Sequence, residues 1–244
     1  MSDASFWTLP PDLEVNGWGE YAITIIEPPF PTSIESATLD TVKQLAPHDP
    51  VRAHQVAKLL GTVDAVLEEL LLTDTVSESV WTRADLDIIK VGCWGNVIGI
   101  SDPALADNGN TCPLLEETDA LHRLFPEARI VGSVGTDMGA DHHEYTIHFP
   151  EGRLLHAEGW SNTNLDGDPH KVLRALGVAP GDLVGTDAEL DEENLAETNW
   201  NAVTQLILGP WAPWHFSHVQ MSAFRVRHTE HYTNLMEEIW RFDD

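Results

Sequence analysis

Residues 144–160 read Glu-Tyr-Thr-Ile-His-Phe-Pro-Glu-Gly-Arg-Leu-Leu-His-Ala-Glu-Gly-Trp. Two runs rich in β-branched and aromatic residues, Glu144 to Phe149 and Leu154 to Trp160, flank the turn-forming Pro150-Glu151-Gly152-Arg153. That arrangement predicts a β-hairpin, the clearest in the chain. His148 and His156 lie four residues either side of Gly152. Successive strand residues point to opposite faces, so a symmetrical register puts both histidines on one face with Thr146 and Glu158. Such a face is polar for one that must pack under helices. Its two possible fates are solvent exposure or the floor of a cleft closed by the loop from Trp211 to His218.

Outward from the hairpin, β-rich runs at Glu20 to Ile26, Ile88 to Val91, Val97 to Ile100, Ala128 to Val134 and Met221 to Arg227 predict further strands. Helices are marked by their ends. Asp49-Pro50 and Asp168-Pro169 each combine a capping side chain with a first-turn proline, and Gly61 and Gly177 supply the stops. Thr62 is expected to start another helix carrying Val63, Val66, Leu67 and Leu70, and Pro113 to Phe125 to form the next. Thr186 and Glu189 fit a capping box ahead of a helix running to Leu208, and a last helix buries Tyr232, Leu235, Met236, Ile239 and Trp240. The expected fold class is α+β: an antiparallel sheet of about five or six strands with helices packed mainly on one face. Residues 1–16 read as a loose arm and 17–244 as a single globular domain.

Charge limits the partners. The chain carries 40 Asp and Glu against 13 Lys and Arg, a formal net charge of -27. A phosphate backbone is repelled by that balance, so nucleic-acid binding is not expected, whereas a basic protein would be attracted. Cys93 and Cys112 are the only cysteines and do not form a Cys-x-x-Cys pair. Neither a disulfide framework nor a cysteine zinc motif is therefore indicated. No apolar run approaches the ~20 residues a membrane helix needs, and residues 1–11 lack a signal-peptide pattern. The expected setting is cytoplasmic and reducing.

Nine of the twelve histidines follow residue 140. Asp141, His142, His215 and His218 are the candidate ligands for a divalent transition metal, since imidazole suits several such ions. His148, His156 and Glu158 are the candidate catalytic groups, with a histidine as general base. Trp211 and Trp214 form an aromatic loop suited to partner contacts. Asn162, Asn164, Asp166 and Asp168 echo a calcium loop, but Leu173 stands where the bidentate Glu belongs, so they read as a turn. Two functions remain. One is a binding or inhibitor protein of the immunity type for a basic partner; the other is a small metal-dependent or cofactor-free enzyme built on the later histidines.

Overall fold

The computed structural model describes residues 6–15, 18–30, 39–70, 80–107, 109, 111–137, 141–160, 163–209 and 219–241. Its strands are β1 (Trp18–Ile26), β2 (Val63–Glu69), β3 (Ile88–Trp94), β4 (Val97–Ser101), β5 (Arg129–Asp137), β6 (Asp141–Phe149), β7 (Gly152–Gly159), β8 (Thr163–Gly167) and β9 (Ser222–His228). They form one mixed-fold α+β framework, a nine-stranded sheet in the order β2-β9-β3-β4-β1-β5-β6-β7-β8. Every neighbouring pair is antiparallel. The helices are α1 (Leu39–Val42), α2 (Pro50–Ala57), α3 (Pro113–Leu124), α4 (Pro169–Leu176), α5 (Trp200–Leu208) and α6 (Glu230–Trp240). Among the described residues, no helix is long and apolar enough to cross a membrane.

The sheet is larger than the expected five or six strands, and the two edge strands account for much of the difference. β2 reads as a helix because bulges between Val63 and Ala65 and between Val66 and Glu68 break its alternation. Each bulge adds a residue, which turns period-two spacing into one that imitates a helical stripe. β8, Thr-Asn-Leu-Asp-Gly, is made of turn formers and carries no strand signal of its own. Polar residues suit an edge, where they discourage pairing with other chains.

Helices cover both faces, which corrects the expectation of mainly one. Ala53, Val56 and Ala57 of α2, Leu114 and Leu121 of α3, and Met236, Ile239 and Trp240 of α6 share a core with Ile23, Ile25, Ile98, Ile100 and Phe224. On the opposite face, Val172 and Leu173 of α4 and Val203 and Ile207 of α5 pack with Ile147, Leu155 and Ala157. A central sheet apolar on both sides needs two helical layers.

Several ends form as the sequence predicts. Asp49 accepts from the Arg52 N–H at 3.0 Å and Asp168 from the His170 N–H at 2.9 Å, while Gly177 closes α4 at φ 74°. α5 does not start at the Thr186–Glu189 box. Glu189 instead accepts from the Gly185 N–H at 2.6 Å, and Asn199 caps α5 through the Ala202 N–H at 3.1 Å. Of the N-terminal arm, Phe6 is buried in the core, and the Trp7 indole donates to the Thr233 carbonyl of α6 at 3.3 Å.

Candidate metal centre

β6 places Tyr145, Ile147 and Phe149 against the α4–α5 core, so its alternate residues His142, Glu144, Thr146 and His148 face α3. These four are buried. α3 comes close to the sheet at Gly132 of β5, where an added Cβ would lie 2.7 Å from Leu114 Cδ1 and 2.5 Å from Thr146 Oγ1. A polar face therefore lies under a helix instead of in water.

The hairpin register differs from the symmetrical one. Phe149 pairs with Gly152, so the loop is Pro150-Glu151, and a bulge beyond His148 shifts the rest by one residue. His148 thus opposes Arg153, Thr146 opposes His156, and Glu144 opposes Glu158. The shorter turn and the bulge, not a slip of faces, separate the two histidines.

Two groups of metal-ligating side chains result, Asp107–His142–Glu158 and Cys112–Glu144–His156, with the donor atoms of each within 4.8 Å of one another. His142 Nε2 lies 3.5 Å from Glu158 Oε2 and 3.9 Å from Asp107 Oδ2. His156 Nε2 is 3.0 Å from Glu144 Oε1. The segment between β4 and α3 supplies the two remaining donors. Asp107 Oδ1 accepts from the backbone N–H groups of Gly109 at 3.0 Å and Thr111 at 3.3 Å, which leaves its Oδ2 aimed at His142. Cys112 occupies the N-cap of α3 without capping it. The exposed Trp160 ring meets His142 edge-on, with centroids 5.0 Å apart.

Four buried atoms in these groups make no hydrogen bond among the described residues: Asp107 Oδ2, both ring nitrogens of His142, and Glu144 Oε2. Burial pushes the Glu144 carboxyl above its usual range, against the opposing pull of His156. Burial also pushes the Cys112 thiol up to about 12, helped by Glu144, Asp107 and Glu158. A nearby cation would reverse both trends by favouring carboxylate and thiolate.

At the far end of the row, His148 Nε2 lies 3.6 Å from Asp119 Oδ1, and its ring is 5.3 Å from that of His122. Burial, then His122 and Arg153, lower its pKa to about 3, so His148 is neutral. It faces Asp119 and Arg153 and belongs to neither ligand group. Of the residues picked from sequence, His142, His156 and Glu158 come together in these groups. Asp141 lies in β6 opposite Asp137, and its side chain is outside the described residues. Trp211, Trp214, His215 and His218 are also outside them. His228 is a core histidine hydrogen-bonded to the carbonyls of Thr62 at 3.2 Å and Leu86 at 3.0 Å.

Asp107, Cys112 and Glu144 are the site residues that sequence reasoning missed. Strand parity offered Glu144, two positions before Thr146 on the same face. Nothing local marks Asp107, and Cys112 is flagged only by its place before the helix-starting Pro113.

Residues 6–243 match the model of a family of unknown function (DUF6333). No curated protein and no solved structure matches the chain. The family match spans nearly the whole sequence, both ligand groups included, and the chain belongs to that family.

Proposed function

We propose that this protein is a metal-dependent enzyme that holds a divalent transition-metal ion on the buried histidine–carboxylate face of β6 and β7. One observation carries the reading: metal-ligating side chains converge in two groups, and within them Asp107 Oδ2, the His142 ring nitrogens and Glu144 Oε2 are buried without a hydrogen bond. Each buried polar group left unsatisfied costs about 1–3 kcal/mol, and a bound cation would satisfy several at once. Imidazole, carboxylate and thiol are the donor types that divalent transition metals take.

The rim supports a catalytic site over a closed structural one. The Glu158 side chain is 20% exposed, and Cys112 is half-buried. Three protein donors in a group leave coordination positions for water or substrate, as in catalytic zinc sites. In such a site the ion acts as a Lewis acid and lowers the pKa of bound water.

The test is metal analysis of protein purified without chelator, combined with melting curves before and after chelation and after adding back Zn²⁺, Mn²⁺ or Co²⁺. Bound metal, a melting temperature that falls on chelation and recovers on re-addition, and loss of uptake in His142→Ala are expected. Protein that is metal-free, fully folded and takes up none of these ions at micromolar concentration overturns the reading.

A further inference from the structure

We infer that the centre is dinuclear and chemically asymmetric, with a harder ion at Asp107, His142 and Glu158 and a thiolate-bound, zinc-type ion at Cys112, Glu144 and His156. The inference rests on the metal reading above and goes further, to ion number and type.

The strand register supplies the first argument. Glu144 and Glu158 are directly opposed across β6 and β7. His142 lies two residues from Glu144 along β6, and His156 lies two residues from Glu158 in the opposite direction along the sheet. The imidazoles thus stand at the outer corners of a parallelogram whose centre is the carboxylate pair. At a rise of about 3.4 Å per residue, the histidines are offset by roughly 13 Å along the strands. One ion cannot readily draw in both rings over that offset, whereas an ion on each side of the carboxylates needs only a short reach. The side chains already divide this way: His142 is beside Glu158 and Asp107, and His156 is beside Glu144.

The carboxylates point the same way. Like charges directly opposite on a sheet repel, so two glutamates there call for compensation. One oxygen of Glu144 meets His156 and the other, Oε2, is buried without a hydrogen bond. A buried carboxylate directly opposed to a second one, between the two groups, is suited to bridging two cations. Paired ions in such centres sit roughly 3.5–4 Å apart.

Donor chemistry separates the two ends. Asp107, His142 and Glu158 offer two oxygens and one nitrogen, a set that accepts Mn²⁺ or Fe²⁺. Cys112 adds sulfur to the other end, which favours zinc. A thiol binds such an ion as thiolate, so its proton leaves to solvent when the metal enters.

Titration of the intact, metal-stripped protein with Co²⁺ tests the inference. About two equivalents should bind, one of them producing a sulfur-to-cobalt charge-transfer band. Cys112→Ser should abolish that band and weaken one equivalent on the order of 100-fold, while the other still binds. One equivalent in the native protein overturns the dinuclear centre but leaves the metal reading standing. Uptake of none overturns both. Two equivalents without a thiolate band overturn the role of Cys112, an outcome read on the native protein and independent of whether the variant folds.

Discussion

The two ends of one sheet face are equally buried but built from opposite chemistry. Under α2 and α6, β1, β3 and β4 present Ile23, Ile25, Ile89, Val91, Ile98 and Ile100. Under α3, the same face continues into Thr136, His142, Glu144, Thr146 and His148, also buried. Apolar burial is favourable by about 25 cal/mol per Å², while burying polar groups without partners is unfavourable. The apolar end therefore stabilises the sheet, and the polar end is carried by it. A fold that keeps such a region under a helix needs either a ligand for it or enough stability elsewhere. This difference is what points to the polar end as the functional one.

The largest expected effect lies at the apolar end. Ile23→Ala should destabilise by about 2–5 kcal/mol through lost burial and a residual cavity, with or without metal. At the polar end, Glu144→Gln should behave differently. It keeps an acceptor for His156 and removes the carboxylate a cation would need, so metal-free protein should change by no more than about 1 kcal/mol, the worth of one altered hydrogen bond. With metal present it should be less stable than the native protein. Urea unfolding of both variants, each with and without Zn²⁺, checks the contrast. Equal losses in both variants, insensitive to metal, would dissolve it.

A smaller effect probes the seam between the two ends. Glu117 of α3 is buried, accepts from the Gly61 N–H at 3.1 Å, and leaves Oε2 without a hydrogen bond. Burial raises its pKa from an ordinary 4.5 to about 7. Below pH 4.5 the carboxyl is protonated whether the chain is folded or not, and it adds no pH dependence. As pH rises toward 7 the unfolded chain gives up the proton first, so stability falls, by at most about 1.4 kcal/mol per pH unit. Above 7 the penalty levels off. His148 acts in the opposite sense: it is held neutral, so its contribution is lost as pH falls from 6.5 toward 3. Glu117 is therefore isolated by the difference between native protein and Glu117→Gln, measured by urea unfolding from pH 4.5 to 8. The variant's advantage should grow across that window; a constant difference would show that Glu117 does not titrate there.

The same contrast explains what was legible in the sequence. The hairpin at 141–159 could be read because each strand alternates, and parity assigned Thr146, His148, His156 and Glu158 to one face. Alternation separates two faces but does not say which is wet. Here both are covered, so the polar residues point inward. β2 was hidden by its bulges, and β8 by residues that also make turns. Asp107 and Cys112 reach the site from a connection whose path depends on how α3 docks over Gly132, which is tertiary information. Net charge could not show that Asp102, Asp107, Glu117 and Glu144 are buried.

The smallest effect belongs to the edge strand farthest from the candidate centre. On β9, Arg227 Nε lies 2.6 Å from Asp64 Oδ2 of β2, and Arg225 Nε lies 3.5 Å from Glu68 Oε2. Both pairs bridge the bulged β2–β9 ladder and are well exposed, where water and salt screen the attraction. Exposed pairs of this kind contribute about 0.2–1 kcal/mol, so Arg227→Ala should cost no more than that, and less at high salt. It should leave metal uptake unchanged, because four strands separate the β2–β9 pair from β6 and β7 in the sheet. Melting curves at low and high ionic strength, with a metal titration on the same variant, measure both quantities. A loss of metal binding in Arg227→Ala would mean that the two ends of the sheet are coupled, and that the contrast between a stabilising end and a ligand-binding end is too simple.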